Sequence, residues 1–143
     1  MSYSIDADIL LYDRNQEDSH FDSASRFISK RTNDPDLLCM TWPSIMAYQR
    51  NAKHESIFEN PLSPEIAWSN VVNLLNRPRA TLIQEREGFA GAFETTPSAL
   101  KVRGNLRPDA PVATILQQNG VKRIYTVDSD FRKFEFLEVI NPL

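Results

Sequence analysis

Apolar positions along this chain fall into two rhythms that replace one another from the first residue to the last, and each switch marks an element. A period near two, or a short unbroken apolar run, belongs to a strand, whereas recurrence at three and four residues belongs to one face of a helix. "YSI", running into Asp6, reads as a first strand. "SHFDSASRFISKR" places Ala24, Phe27, Ile28 and Arg31 at helical spacing, with Ser19 available as N-cap. "LLCMT" reads as a second strand and "WPSIMAYQRNA" as the helix after it, since Pro43 suits a first turn. "LSPEIAWSNVVNLLNRP" has Ser63 as cap, Pro64 at the first helical position and an apolar face of Ala67, Trp68, Val71, Val72, Leu74 and Leu75, and Pro78 stops it. "ATLI" gives a short third strand, and "REGFAGAFETT" a helix weakened by Gly91. "RPDAPVATILQQNG" is a helix opened by Pro108 and closed by Gly120, with Pro111 tolerated in a first turn whose amides have no intrahelical partner. "VKRIYT" and "FEFLEVI" complete the strands.

Strands that alternate with helices predict a mainly parallel sheet covered on both faces, an α/β sandwich of three layers with about five strands. A length of 143 residues suits a single domain over residues 1–143. The apolar fraction of 41% and charged fraction of 24% exclude a disordered chain. Cys39, the one cysteine, cannot form an internal disulfide and sits in the run "LLCMT", which predicts a buried side chain and a reducing compartment. Asp6 and Asp8 interrupt the first apolar stretch and rule out a signal-peptide core there, and no run is long enough to span a membrane, so the expected location is the cytoplasm. The net charge of −3 argues against bulk electrostatic binding of nucleic acid. Residues 101–143, however, carry Lys101, Arg103, Arg107, Lys122, Arg123, Arg132 and Lys133, and become basic once their aspartates are neutralised by metal.

Charge placement is the informative feature. In an open parallel sheet, functional groups gather beyond the carboxyl ends of the strands. Asp6 follows the first strand, Asp128 and Asp130 follow "VKRIYT", and Asp109 opens the helix that feeds that strand. Taken singly, Asp6 and Asp128 serve as strand-end turn formers, Asp109 as complement to a helix dipole and Asp130 as N-cap of a short turn. Taken together, such carboxylates repel one another, and a divalent cation with oxygen ligands, Mg2+ or Mn2+, is the natural way to keep all of them ionised. No Gly-rich phosphate loop, nucleophilic serine or zinc spacing is present, and His20 and His54 share no ligand spacing.

Three blocks carry a likeness: "YSIDADILLYDRNQEDSHFDSA", "WPSIMAYQR" and "GNLRPDAPVATILQQNGVKRIYTVDSDFRKF". In order and spacing they resemble a bacterial PIN-domain ribonuclease, the VapC-like toxin of a type II toxin–antitoxin pair. The resemblance implies a PIN-like fold and Mg2+- or Mn2+-dependent cleavage of RNA to a 5′-phosphate and a 3′-hydroxyl. It assigns Asp6, Asp109 and Asp128 as metal ligands and catalytic acids, Asp130 as a neighbouring acid that ligates or supports, and Thr126 as a hydroxyl beside the metals. It also implies an RNA substrate and a cognate antitoxin that lays a helix in a groove and a basic side chain in the acidic cleft; a homodimer lining two such clefts with the basic residues near the C-terminus is expected besides.

Departures from the family pattern are visible. Many relatives place a glutamate early in the second helix of the pattern, where Met46 and Ala47 stand here, and Asp8, Glu55 or Glu94 would replace it only if folding brings one near. Asp8 also stands where asparagine is common, and Pro111 where a histidine often follows "DA". Arg50 is a candidate to pair with a site carboxylate, and Trp42, Tyr48 and Trp68 are expected chiefly in the core. Two alternatives stay open. One is a PIN-like binding module that has lost catalysis. The other is an aspartyl-nucleophile phosphatase, because "IDADILL" resembles the "DxDxT" motif, although Leu10 fills the hydroxyl position.

Overall fold

The computed structural model describes residues 1–54, 58–97, 99–100 and 109–143. Glu55, Lys101, Arg103, Arg107 and Pro108 lie outside the described residues. Five strands, β1 (Ser2–Ile5), β2 (Leu37–Thr41), β3 (Ala80–Ile83), β4 (Arg123–Tyr125) and β5 (Glu138–Ile140), form one sheet in the order β3-β2-β1-β4-β5. Every pairing is parallel, with Tyr3 opposite Leu38 and Ile5 opposite Tyr125. The helices are α1 (Ala7–Arg14), α2 (Phe21–Arg31), α3 (Trp42–Asn51), α4 (Pro64–Leu75), α5 (Phe89–Thr95) and α6 (Asp109–Gln118).

Period-two alternation sends neighbouring side chains of each strand to opposite layers. Tyr3, Ile5, Leu38, Met40 and Tyr125 pack with α1 to α4 in one core, which includes Phe27, Ile45, Tyr48 and Val71. Cys39 and Ile124 pack on the other face with Val112, Leu116, Phe131 and Phe134. Cys39 is buried, as its apolar setting predicts, and burial raises its thiol pKa. This is the expected three-layer sandwich.

Local signals act largely as read. Ser63 caps α4 by accepting from the Ile66 amide at 3.1 Å, and Thr41 caps α3 through the Ser44 amide at 3.3 Å. Gly120 takes φ +70°, the left-handed conformation that ends α6. Four details differ. Residues 7–14 form a helix, α1, where none was expected. Ser19 does not cap α2: His20 holds that position, and the Asp18 carboxylate takes the His20 amide at 2.8 Å. The last strand is confined to Glu138–Ile140, because Phe134 and Leu137 close a turn (Leu137 N to Phe134 O, 3.0 Å) and pack into the core. Finally, Tyr48 is core, but Trp42 is 45% exposed and Trp68 41% exposed, packed edge to face on each other at 6.2 Å.

Candidate metal centre

Strand order makes β1 and β4 the place where the chain changes direction across the sheet, β2 and β3 extending to one side of β1 and β4 and β5 to the other. Loops diverge there and leave a crevice beyond the carboxyl ends. The last rung between the two strands is the Asp6 amide donating to the Tyr125 carbonyl at 2.9 Å. One residue further on, Asp6 and Thr126 stand side by side, and the Thr126 hydroxyl donates to Asp6 Oδ2 at 2.8 Å.

Asp6 is also the N-cap of α1: its Oδ1 accepts from the Ala7 amide at 2.8 Å. Asp8, in the first turn, accepts from the Ile9 amide at 2.7 Å through Oδ1 and from the Val127 amide at 3.2 Å through Oδ2. Its Oδ2 lies 3.1 Å from Thr126 Oγ1. A hydroxyl has one proton, and the shorter contact assigns it to Asp6. The hydroxyl oxygen in turn accepts from the Asp128 amide at 2.9 Å, so Thr126 ties three acid-bearing positions together.

The remaining acids assemble on the other side of Asp128. Asp109 enters at the first residue of α6, whose amino end lies at this sheet edge because α6 returns the chain to the start of β4. Asp128 caps a 3-10 turn, Ser129–Lys133, accepting from the Asp130 amide at 2.9 Å. The cap of that turn is therefore Asp128, not Asp130. Phe131 and Phe134 anchor the turn, both 1% exposed with rings 5.9 Å apart, and burial of each stabilises it by up to about 3 kcal/mol. Asp109, Asp128 and Asp130 each offer a carboxylate oxygen within 4.8 Å of the others, the first two buried and the third exposed.

Electrostatics follow from this crowding. Burial, then the charge of Asp8, pushes the Asp6 pKa up from 3.8 to about 7, against the pull of the Thr126 hydroxyl and Ala7 amide, and Asp128 adds to the rise. Burial also raises Asp8, opposed first by the Val127 amide. The Asp109–Asp128–Asp130 group is a set of hard oxygen donors that could hold a metal ion, and Asp6, which the sequence also offers as a ligand, lies beside Asp128 but outside that three-carboxylate group.

Other sequence candidates fall elsewhere. Arg50 is exposed in the last turn of α3, and that helix starts at the carboxyl end of β2, so Arg50 lies about 12 Å along the axis from the site edge and does not join the acids. Glu94 is exposed on α5 and is not part of the three-carboxylate group. Of Met46 and Ala47, only Ala47 faces the core, and the neighbouring inward residue is Ser44, so α3 contributes no carboxylate at its inner face.

Comparison with known proteins bears on the fold and the family. No protein-family model matches the chain. Ribonuclease VapC48 of Mycobacterium tuberculosis (strain CDC 1551 / Oshkosh) is 30% identical over 142 residues, covering 99% of this chain and 98% of the relative. The chain belongs to the VapC ribonuclease family. Ribonuclease VapC37 of M. tuberculosis (strain ATCC 25618 / H37Rv) is 28% identical over 131 residues, 92% of this chain and 90% of the relative. Among solved structures, VapBC2 from Rickettsia felis bound to a DNA fragment from its promoter superposes with a TM-score of 0.68 at 15% identity, covering 99% of this chain and 98% of that one. The sarcin-ricin loop cleaving toxin VapC20 of M. tuberculosis gives 0.66 at 16% identity, covering 96% and 98%. The fold is that of the VapC toxins, and the phosphatase reading of "IDADILL" gives way to family membership.

Proposed function

We propose that this VapC-family chain is an endoribonuclease toxin whose RNA cleavage depends on Mg2+ or Mn2+ held by Asp6, Asp109 and Asp128, with Asp130 as a further ligand from the open side. The observation that carries the reading is the convergence of these carboxylates with Asp8 on Thr126 and Asp128 at one sheet edge. A bound divalent ion supplies charge stabilisation for in-line attack of water on a phosphodiester. The protein residues do the positioning. Thr126 fixes Asp6 Oδ2, the α1 amides fix the backs of Asp6 and Asp8, and the aromatic anchor of the 3-10 turn fixes Asp128 and Asp130.

Partners follow from the exposed surface. Trp42 with Met46 on α3, and Trp68 with Val72 on α4, form two exposed apolar pairs at four-residue spacing on helices that pack together. We assign this face to a homodimer. The cognate antitoxin, by likeness to the VapBC assemblies, places a basic side chain into the acidic cleft. No helix among the described residues is long and apolar enough to cross a membrane, and the proposed setting is the cytoplasm.

Purified protein incubated with a structured RNA is expected to cleave it with Mn2+ or Mg2+, to stop in EDTA, and to stop in Asp109→Asn. Cleavage that survives in Asp109→Asn refutes the assignment. A second reading is favoured by one observation, the absence of a carboxylate at Ser44 and Ala47 on α3: a binding module without catalysis. RNA bound but left intact at saturating Mn2+ selects it.

A further inference from the structure

Tyr125 faces two environments. Its carbonyl accepts from the Asp6 amide at the acidic edge, while its ring turns to α2 and meets Phe27 at 4.8 Å. Beside that ring lies an open groove of about 420 Å3, walled by Arg26, Phe27, Lys30 and Arg31 of α2 on one side and by Tyr125 and Pro142 on the other. Three cationic side chains line it, Ser23 and Leu143 complete its rim, and among the described residues no Asp or Glu side chain lines it. Arg31 is fixed: its Nη1 donates to Asp34 at 2.8 Å and its guanidinium lies over Phe27 and Tyr125 at 5.1 and 5.5 Å. Its Nε, by contrast, is buried and meets no acceptor among the described residues. Arg26 and Lys30 stand one turn apart, both exposed, and among the described residues neither forms an ion pair.

An acidic centre repels the phosphodiester it cleaves, so binding free energy has to come from cations that are not already engaged within the protein. Arg31 and Arg123 are each held by a carboxylate, whereas Arg26 and Lys30 are not. We infer that the groove between α2 and Tyr125 is a backbone-binding track for RNA flanking the scissile phosphate, with Arg26 and Lys30 contacting two phosphates and Arg31, held by Asp34, adding positive charge to the wall. The inference rests on the ribonuclease reading. Groove and centre share Tyr125, whose ring forms the groove wall and whose carbonyl accepts from the Asp6 amide at the acidic edge.

The test is a charge reversal at two exposed positions, Arg26→Glu with Lys30→Glu. In an Asp109→Asn background, anisotropy with a fluorescein-labelled RNA hairpin is expected to show Kd rising at least tenfold, and the slope of log affinity against log salt falling by about 1.4, two phosphate contacts on a single strand. In the active background KM rises while kcat stays within twofold, and the exchange Arg26→Lys with Lys30→Arg keeps the parental Kd. Unchanged Kd and slope in a parent that binds RNA overturn the track alone. Equal loss of binding to a polyglutamate peptide, at equal parental affinity for peptide and RNA, overturns the assignment to RNA. A parent that neither binds nor cuts RNA overturns the ribonuclease reading itself.

Discussion

Asp6 and Asp8 on one side of Thr126, and Asp109, Asp128 and Asp130 on the other, are built from the same side chain and differ in how they are held. The inner pair sits behind α1, its oxygens already accepting from the Ala7, Ile9 and Val127 amides and from Thr126. The outer three project from the start of a helix and from a short turn, with Asp130 open to solvent. Hydrogen bonds to the charged form compensate burial only in part, which is why Asp6 remains well above an ordinary carboxylate. The inner pair is thus held by burial and mutual repulsion; in the proposed function a cation relieves that repulsion, and the outer group is the side open to ligands.

If both halves serve one centre, losing either abolishes cleavage. Asp6→Asn and Asp109→Asn are each expected to lower the single-turnover rate by roughly 10^3-fold or more, the equivalent of about 4 kcal/mol of charge stabilisation. Residual activity within tenfold of the parent in Asp6→Asn would show that the outer group works alone.

Burial of Asp6, with the charge of Asp8 beside it, predicts a pH dependence that runs opposite to ordinary acid denaturation. The Asp6 pKa is raised in the folded protein, from 3.8 to about 7, so the fold favours the protonated carboxyl. Its contribution to stability is fully present below the unfolded value and is lost as pH climbs from about 4 to about 7, to an extent on the order of 4 kcal/mol. Thermal melts in EDTA should therefore show Asp6→Asn gaining on the parent as pH rises from 5 to 8, and Mn2+ should restore the parent most at pH 8. Parallel melting curves for the two proteins across that range would contradict the account.

Thr126 joins the halves, and its removal is expected to cost less than loss of an acid. Thr126→Val deletes the donor to Asp6 and the acceptor for the Asp128 amide at nearly constant volume. Calorimetric Mn2+ affinity should fall about 10- to 100-fold, as for other outer partners of metal ligands. Thr126→Ser should keep it. Equal losses in both variants would mean that the methyl packing, not the hydroxyl, matters.

Much of this arrangement was legible in the sequence, for identifiable reasons. Strand ends plus the alternation rule put Asp6, Asp109 and Asp128 at one edge, since parallel crossovers leave no other. Helix α1 was not legible: Ile9, Leu10 and Leu11 form an unbroken apolar run that fits either period, and a strand-end aspartate such as Asp6 carries no mark that separates a helix cap from a ligand. Nor was the grouping, because the register that sets Thr126 between Asp6 and Asp128 is a tertiary fact. Trp42 and Trp68 share the period of core residues but stay exposed, since periodicity marks an apolar face without saying what covers it.

Asp8 provides the finest test of the comparison, because it adds charge to the inner pair while both of its oxygens accept bonds from the protein. An asparagine there keeps a carbonyl oxygen for one amide and removes the repulsion on Asp6. Asp8→Asn is therefore expected to stabilise the metal-free protein at pH 8, by relieving the repulsion on Asp6, and to weaken Mn2+ binding only severalfold. The two effects share one cause, so they must appear together: in melts with EDTA the variant rises above the parent, and in titrations it falls below. A variant that melts lower than the parent in EDTA would make Asp8 chiefly a structural tie between α1 and the loop at Val127. The inner pair would then hold position without storing charge.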